Sequence, residues 1–202
     1  AKAFSMLKPK RTVVFQSYSA EEMGLIGARY YCDNPVFPKD SPSIRKHIAM
    51  INLDMVGHLG RGVYFAGFHE GNSSVDMRGY INDLNSKYSF ARSITSQGSG
   101  GSDHACFYNK RIPVAFMHTG GHPHYHTPTD TADKINYAGI DKVATYTFEL
   151  AWKVANGPVR VTFNYGGFKP MEYKHDHGHP DMPFPHHYHR HGKAHTPLTN
   201  GN

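Results

Sequence analysis

The sequence predicts an α/β fold in three layers around a mixed, largely parallel sheet. Two observations predict it. Short apolar, β-branched runs alternate with stretches of helical periodicity. And each residue with the look of chemistry stands at the end of a predicted strand, where open α/β sheets collect their ligands.

The elements follow in order. Ala1 to Leu7 reads as the end of a helix. Thr12 to Ser17 (TVVFQS) reads as a buried strand. Met23 to Cys32 reads as a helix with Met23, Ile26 and Tyr30 on one face, and Gly24 and Gly27 permit close approach to a neighbour. Asn34 to Ser43 carries three prolines and is a loop. Ile48 to Val56 and the shorter Val63 to Ala66 read as strands. Val75 to Lys87 places Met77, Tyr80, Ile81 and Leu84 at helical spacing. Ser96 to Ser102 (SQGSGGS) is a glycine-rich loop, and Pro113 to Met117 a further strand. Tyr137 to Asn156 is the clearest helix, with Ile140, Val143, Ala144, Thr147, Leu150, Ala151 and Val154 as its apolar stripe and Gly157–Pro158 as its stop. Val159 to Tyr165 alternates like a half-buried edge strand.

Composition changes after Gly166. Residues 168–202 hold eight of the sixteen histidines and five prolines, with almost no aliphatics. Such a stretch buries too little to offset its ordering entropy. The chain therefore divides into a folded unit, residues 1–166, and a disordered His/Pro-rich tail, residues 167–202.

Net charge is +6, but the basic residues are scattered, with no Lys/Arg run interleaved with aromatics. That argues against nucleic-acid binding. No apolar run approaches the roughly 20 residues that span a bilayer, and the basic N-terminus has no apolar stretch beside it to make a signal peptide. The two cysteines, Cys32 and Cys106, are expected as free, buried thiols.

Three places carry chemistry. Glu21 and Glu22 stand between the first strand and its helix, where a carboxylate pair also suits the helix dipole. Asp54 ends the apolar run INLD. An unpaired buried carboxylate needs a cation or a set of donors, although capping the next turn would also explain it. His126 precedes a Thr-Pro turn in YHTPTDT, with His118, His122 and His124 nearby; Asp130 and Thr131 look like turn or cap residues, and Asp133–Lys134 like a surface pair. Carboxylates with one imidazole suit a catalytic Zn²⁺ better than a structural cysteine site does. Adjacent glutamates then divide the labour, one on the metal and one moving a proton.

AEEMGLIGARYY, INLDMVGH, GSDHACF and GGHPHYHTPTDTADKINY, in that order, resemble the M28 family of zinc aminopeptidases over residues 10–156. The bacterial, secreted branch looks nearest. The resemblance implies a zinc-exopeptidase-like fold, peptide substrates, a secreted or periplasmic location and a two-zinc site. It implies Glu21 as general base, Glu22 and His126 on one zinc, and Asp54 on the other. Asp103, in GSDH, would support ligands from a second shell, and Tyr125 would line the pocket. The family's His-x-Asp motif and bridging Asp precede its glutamate pair, whereas the twenty residues before Glu21 hold neither His nor Asp. The resemblance therefore implies an N-terminally truncated, partial catalytic domain that binds zinc weakly and is inactive alone. Two alternatives stand beside it: a single-zinc glutaminyl cyclase, and a non-catalytic binding module of the same fold. Oligomeric state has no signal in the sequence.

Overall fold

A computed structural model describes residues 1–60, 64–66, 73–90 and 101–166. The histidine-rich segment 167–202, and the predicted loop Ser96 to Ser102 apart from its last two residues, lie outside them. Five α-helices are described: α1 (Lys2–Leu7), α2 (Ile26–Asp33), α3 (Val75–Tyr88), α4 (His104–Asn109) and α5 (Tyr137–Asn156). The strands are β1 (Met50–Leu53), β2 (Tyr64–Ala66) and β3 (Val114–His118).

The sheet runs β1-β3-β2, with β3 parallel to β1 and antiparallel to β2. β3 is central, and its first four residues are all buried. A strand covered on both faces reads as a continuous apolar run, which VAFM is. Successive side chains serve opposite faces. Val114 joins a core with Leu25, Ala28, Tyr31, Cys32, Phe107 and Ile112, from α2, α4 and their flanks. Ala115 and Met117 join another with Met77, Ile81, Leu84, Val143, Tyr146 and Leu150, from α3 and α5. The result is helix, sheet, helix, in three layers.

Several sequence expectations change here. Thr12 to Ser17 joins no strand among the described residues, and Phe15 stays 57% exposed. β-branched residues favour an extended backbone, but a strand also needs a ladder partner, and β1 is paired through β3. Val159 to Tyr165 differs for the same reason. Val161 and Phe163 are buried on alternate positions as predicted, but the backbone bonds Asn164 N–H to Ser73 O rather than to a strand.

The helix after the glutamate pair is also shorter than its pattern. Glu21–Met23 is a 3₁₀ turn, Gly24 is left-handed at φ 104°, and α2 begins only at Ile26. That break resets the helical phase. Leu25, Ala28, Tyr31 and Cys32 are buried, while Met23, Ile26 and Tyr30 face water. Gly27 does approach a neighbour: a Cβ there would sit 2.7 Å from the Ser19 carbonyl oxygen.

The cysteines are not free. Cys32 on α2 and Cys106 on α4 form a disulfide. Their Cα atoms stand 6.3 Å apart, within the range a disulfide bridges, because α2 and α4 pack side by side on one face of the sheet. α5 keeps its predicted bounds, but its buried stripe centres on Val143, Tyr146 and Leu150, and Ala144 is exposed.

Candidate active site

Glu21 and Glu22 sit on the 3₁₀ turn that enters α2. The turn is held from both sides. Leu25 N–H and Gly24 N–H donate to the Glu21 carbonyl, and Gly27 N–H donates to Ser19 O. Ala20, immediately before, is left-handed at φ 55°.

Asp54 follows β1, and its N–H donates to Met117 O on β3 at 3.2 Å. The strand register thus fixes where its carboxylate emerges. Ser102 Oγ donates to Asp54 Oδ2 at 2.7 Å and accepts from Asn52 Nδ2, also at 2.7 Å. Met55, the next residue, is left-handed at φ 53°. Asp103 lies at the start of α4, and its Oδ1 is buried with no hydrogen-bond partner among the described residues.

His126 arrives from the loop after β3. Its Nε2 is 2.7 Å from Glu22 Oε1. Its backbone is left-handed at φ 55°, and the Tyr125 ring stacks on its imidazole with centroids 3.8 Å apart. Thr127 N–H and Oγ1 both donate to His124 O, which closes the turn. Ala20, Met55 and His126 thus put a costly backbone conformation at or beside three of the predicted site positions. Such conformations persist where the surrounding structure over-determines them and cluster at functional sites.

The electrostatics are those of crowded carboxylates. Burial pushes Glu21 up to about 7, and the charges of Glu22, Asp54 and Asp103 push the same way. Burial and then Asp54 push Asp103 up to about 6. Tyr18, beside Asp103, is raised well above the ordinary tyrosine range by burial. His118, at the end of β3, is lowered by burial and pulled back by Asp54. Two carboxylic acids half-protonated near neutrality describe a site short of positive charge.

The structure therefore brings Glu21, Glu22, Asp54, Asp103, Tyr125 and His126 into one neighbourhood. Sequence reasoning missed Ser102, whose hydroxyl joins Asn52 to Asp54; the signal available was only its place in GSDH. Asp130 stands in a turn as expected, its N–H donating to Thr127 O, and Thr131 precedes a 3₁₀ turn as its cap residue; the further feature is that the Asp130 side chain contacts His58 Nε2 at 3.1 Å. The Asp133–Lys134 pair is present, at 2.5 Å.

Comparison with known proteins bears on this arrangement. The family model for peptidase family M28 matches residues 1–151. The leupeptin-inactivating enzyme 1 of Streptomyces exfoliatus is 27% identical over 172 residues, 75% of this chain and 37% of that protein. An aminopeptidase from Aneurinibacillus sp. strain AM-1 superimposes with a TM-score of 0.56 at 30% identity, covering 77% of this chain and 35% of its own. A zinc aminopeptidase from Bacillus subtilis superimposes with a TM-score of 0.57 at 22% identity, covering 72% and 37%, and bears on the fold. The chain spans less than two fifths of the length of the curated relatives it matches first.

Proposed function

The chain belongs to peptidase family M28, and from that premise we propose that Glu21, Glu22, Asp54 and His126 serve a zinc-dependent aminopeptidase centre acting on peptides. The observation that carries the proposal is the 2.7 Å contact of Glu22 with His126, two side chains brought together from loops far apart in sequence.

The residues fit a zinc ion. Carboxylate oxygen and imidazole nitrogen are its ordinary donors. Burial first, then neighbouring carboxylate charge, raises Glu21 and Asp103 toward protonation, and Asp103 Oδ1 is buried without a hydrogen-bond partner among the described residues. A cation relieves both costs. Glu22 and His126 are assigned to one zinc and Asp54 to a second, as in a two-zinc centre. Zinc, when bound, supplies Lewis acidity to the site.

Glu21 is the proton carrier in this reading. It takes a proton from the attacking water and returns it to the amine nitrogen that leaves. Burial with its carboxylate neighbours raises Glu21 above the ordinary carboxylate range in the metal-free site, and a cation beside Glu22 pulls the other way, toward the ionised form that accepts a proton. Tyr125 holds the His126 ring by stacking, and Ser102 holds the Asp54 carboxylate. Residues 1–166 are read as the peptidase part and residues 167–202 as a separate His/Pro-rich segment. The Cys32–Cys106 disulfide favours an oxidising location, secreted or periplasmic. No helix among the described residues is long and apolar enough to cross a membrane.

The test is hydrolysis of aminoacyl anilides by the complete protein that carries this sequence. Glu21→Gln should lower kcat by about 10²- to 10⁴-fold while zinc content, measured by atomic emission, is kept. An unchanged kcat would remove Glu21 from the mechanism.

A further inference from the structure

A second group of metal-ligating side chains lies on the loops after β1 and β3, separate from the Glu22–His126 contact. His58 Nε2 is 3.1 Å from Asp130 Oδ1, and His122 Nε2 is 4.0 Å from Asp130 Oδ2. One ligand atom from each of the three lies within 4.8 Å of the others. We propose that His58, His122 and Asp130 form a further zinc site, which staples the loop after Asp54 to the loop that carries His126.

The donor set and its spacing support this. Two imidazole nitrogens and a carboxylate are a standard zinc complement, with a fourth position left for water. Bonds of about 2.0–2.1 Å in tetrahedral arrangement put neighbouring donors about 3.3 Å apart. His58 Nε2 stands 3.1 Å from Asp130 Oδ1, close to that value, and His122 Nε2 stands farther, 4.0 Å from Asp130 Oδ2, so His122 has the larger movement to make. The two imidazoles are enclosed, their side chains 18% and 10% exposed. Their rings stack 3.6 Å apart at 11°. Both nitrogens thus approach the same carboxylate already, and a rotation of the side chains that opens the stack brings both lone pairs onto one ion. His122 Nδ1 is buried with no hydrogen-bond partner among the described residues, and its Nε2 is beyond hydrogen-bond distance of Asp130. An enclosed imidazole left in that state is costly, and a metal bond compensates it.

The backbone around the triad is held independently of any ion. Asn136 N–H donates to Gly57 O and its side chain to Leu59 O, on either side of His58. Thr119 donates twice to Met55 O, through N–H and Oγ1. Asp130 N–H donates to Thr127 O. The ligands therefore stand on fixed loops, and only side-chain rotation is needed. Because Asp54 lies four residues before His58, and His126 lies between His122 and Asp130, an ion here holds both predicted zinc-binding loops in register.

The experiment follows each histidine by carbethoxylation and mass spectrometry while metal-free full chain is titrated with zinc chloride. His58 and His122 should become protected together, at one zinc concentration, in the wild type. They should do so equally in a Glu22→Gln/His126→Gln chain, which lacks the other pair. Asp130→Asn should raise the zinc concentration needed by at least about tenfold. Unchanged reactivity of His58 and His122 with zinc in the wild type would reduce the cluster to an ion pair and overturn the site. Protection that disappears in the Glu22→Gln/His126→Gln chain would assign these residues to the peptidase centre and overturn its separateness. Protection of His58 and His122 with His126 left reactive would support this site by itself, the proposed function being judged by anilide hydrolysis in the complete protein.

Discussion

The layer of α3 and α5 is built from helices of 14 and 20 residues, each begun by a side chain that accepts from the first turn: Ser74 from Met77 N–H and Asn136 from Gly139 N–H. The layer of α2 and α4 has helices of eight and six residues, and neither begins with a side-chain cap. Yet the short-helix layer carries Glu21, Glu22 and Asp103, and the long-helix layer carries none of the predicted site. Short helices leave more termini and turns at the carboxyl end of the sheet, and those turns are where side chains converge. The cost is stability, since isolated short helices are marginal and lean on tertiary contacts. The long-helix layer supplies those contacts on its side through Tyr146 and Leu150, both fully buried. The short-helix layer has its own core, around Leu25, Ala28 and Phe107, and a covalent bond besides.

Leu150→Ala is the strongest way to separate the two layers. Leu150 is fully buried against Met77, Ile81 and Met117 in one core. Its truncation should cost about 2–5 kcal/mol, as transfer and cavity costs add. Urea unfolding of the metal-free chain measures it. Histidine protection by zinc, measured while the variant is still folded, should move little, since that core reaches the predicted site through the Met117 carbonyl that accepts from Asp54 N–H and through Val56 and Leu59, not through a ligand side chain. A changed zinc response would mean that the layers are coupled, and the contrast drawn above would fail.

The Cys32–Cys106 bond tests the other layer. It closes a loop of 74 residues and ties the helix after Glu22 to the helix after Asp103. Replacing both cysteines with serine should cost about 2–4 kcal/mol. Unlike Leu150→Ala, the change should also weaken zinc binding in the folded chain, because the two site-bearing helices lose their common anchor. Equal zinc affinity with and without the bond would show that packing through Tyr31 and Phe107 alone holds the site.

The same contrast explains what the sequence made legible. α3, α5 and β3 were readable because their patterns are local and long: a repeated 3.6 period, or an unbroken apolar run. The short-helix layer was harder. Gly24 interrupts the helix after Glu22, so the apolar face read from Met23, Ile26 and Tyr30 is the exposed one. Thr12 to Ser17 and Val159 to Tyr165 have strand composition, but pairing depends on what lies beside them, and no local pattern contains that. The disulfide joins residues too distant for spacing to reveal. Asp54 and His126 could be singled out because a charged residue closing an apolar strand, or a histidine before a rigid turn, is an anomaly within a few residues, whereas the Glu21–Glu22 pair suits a helix start by itself and stood out only through the family motif. Asp130 could not, since in Thr-Asp-Thr it looks like an ordinary cap and its partner His58 is far away in sequence.

Glu21→Gln gives the smallest effect on stability and bears most directly on the crowded carboxylates. In the metal-free chain Glu21 holds its proton up to about pH 7, against an ordinary value of 4.5. Between those values the folded state binds a proton that the unfolded state has released. Stability therefore falls as pH rises through this window, and the loss is complete above pH 7. Glutamine never ionises and is spared the loss. Discounted for the access of Glu21 to water, the difference should be about 1 kcal/mol in favour of Glu21→Gln at pH 8, vanishing at pH 4. Unfolding curves from pH 4 to pH 8 measure it. Asp103 is raised in both chains, so part of the pH dependence should survive in the variant. Zinc added at pH 8 should narrow the gap, because a cation beside Glu22 and His126 stabilises the ionised Glu21 that the variant lacks. A variant less stable than the wild type at pH 8 would mean that Glu21 is stabilised as an anion without metal, and the site would no longer be one short of positive charge.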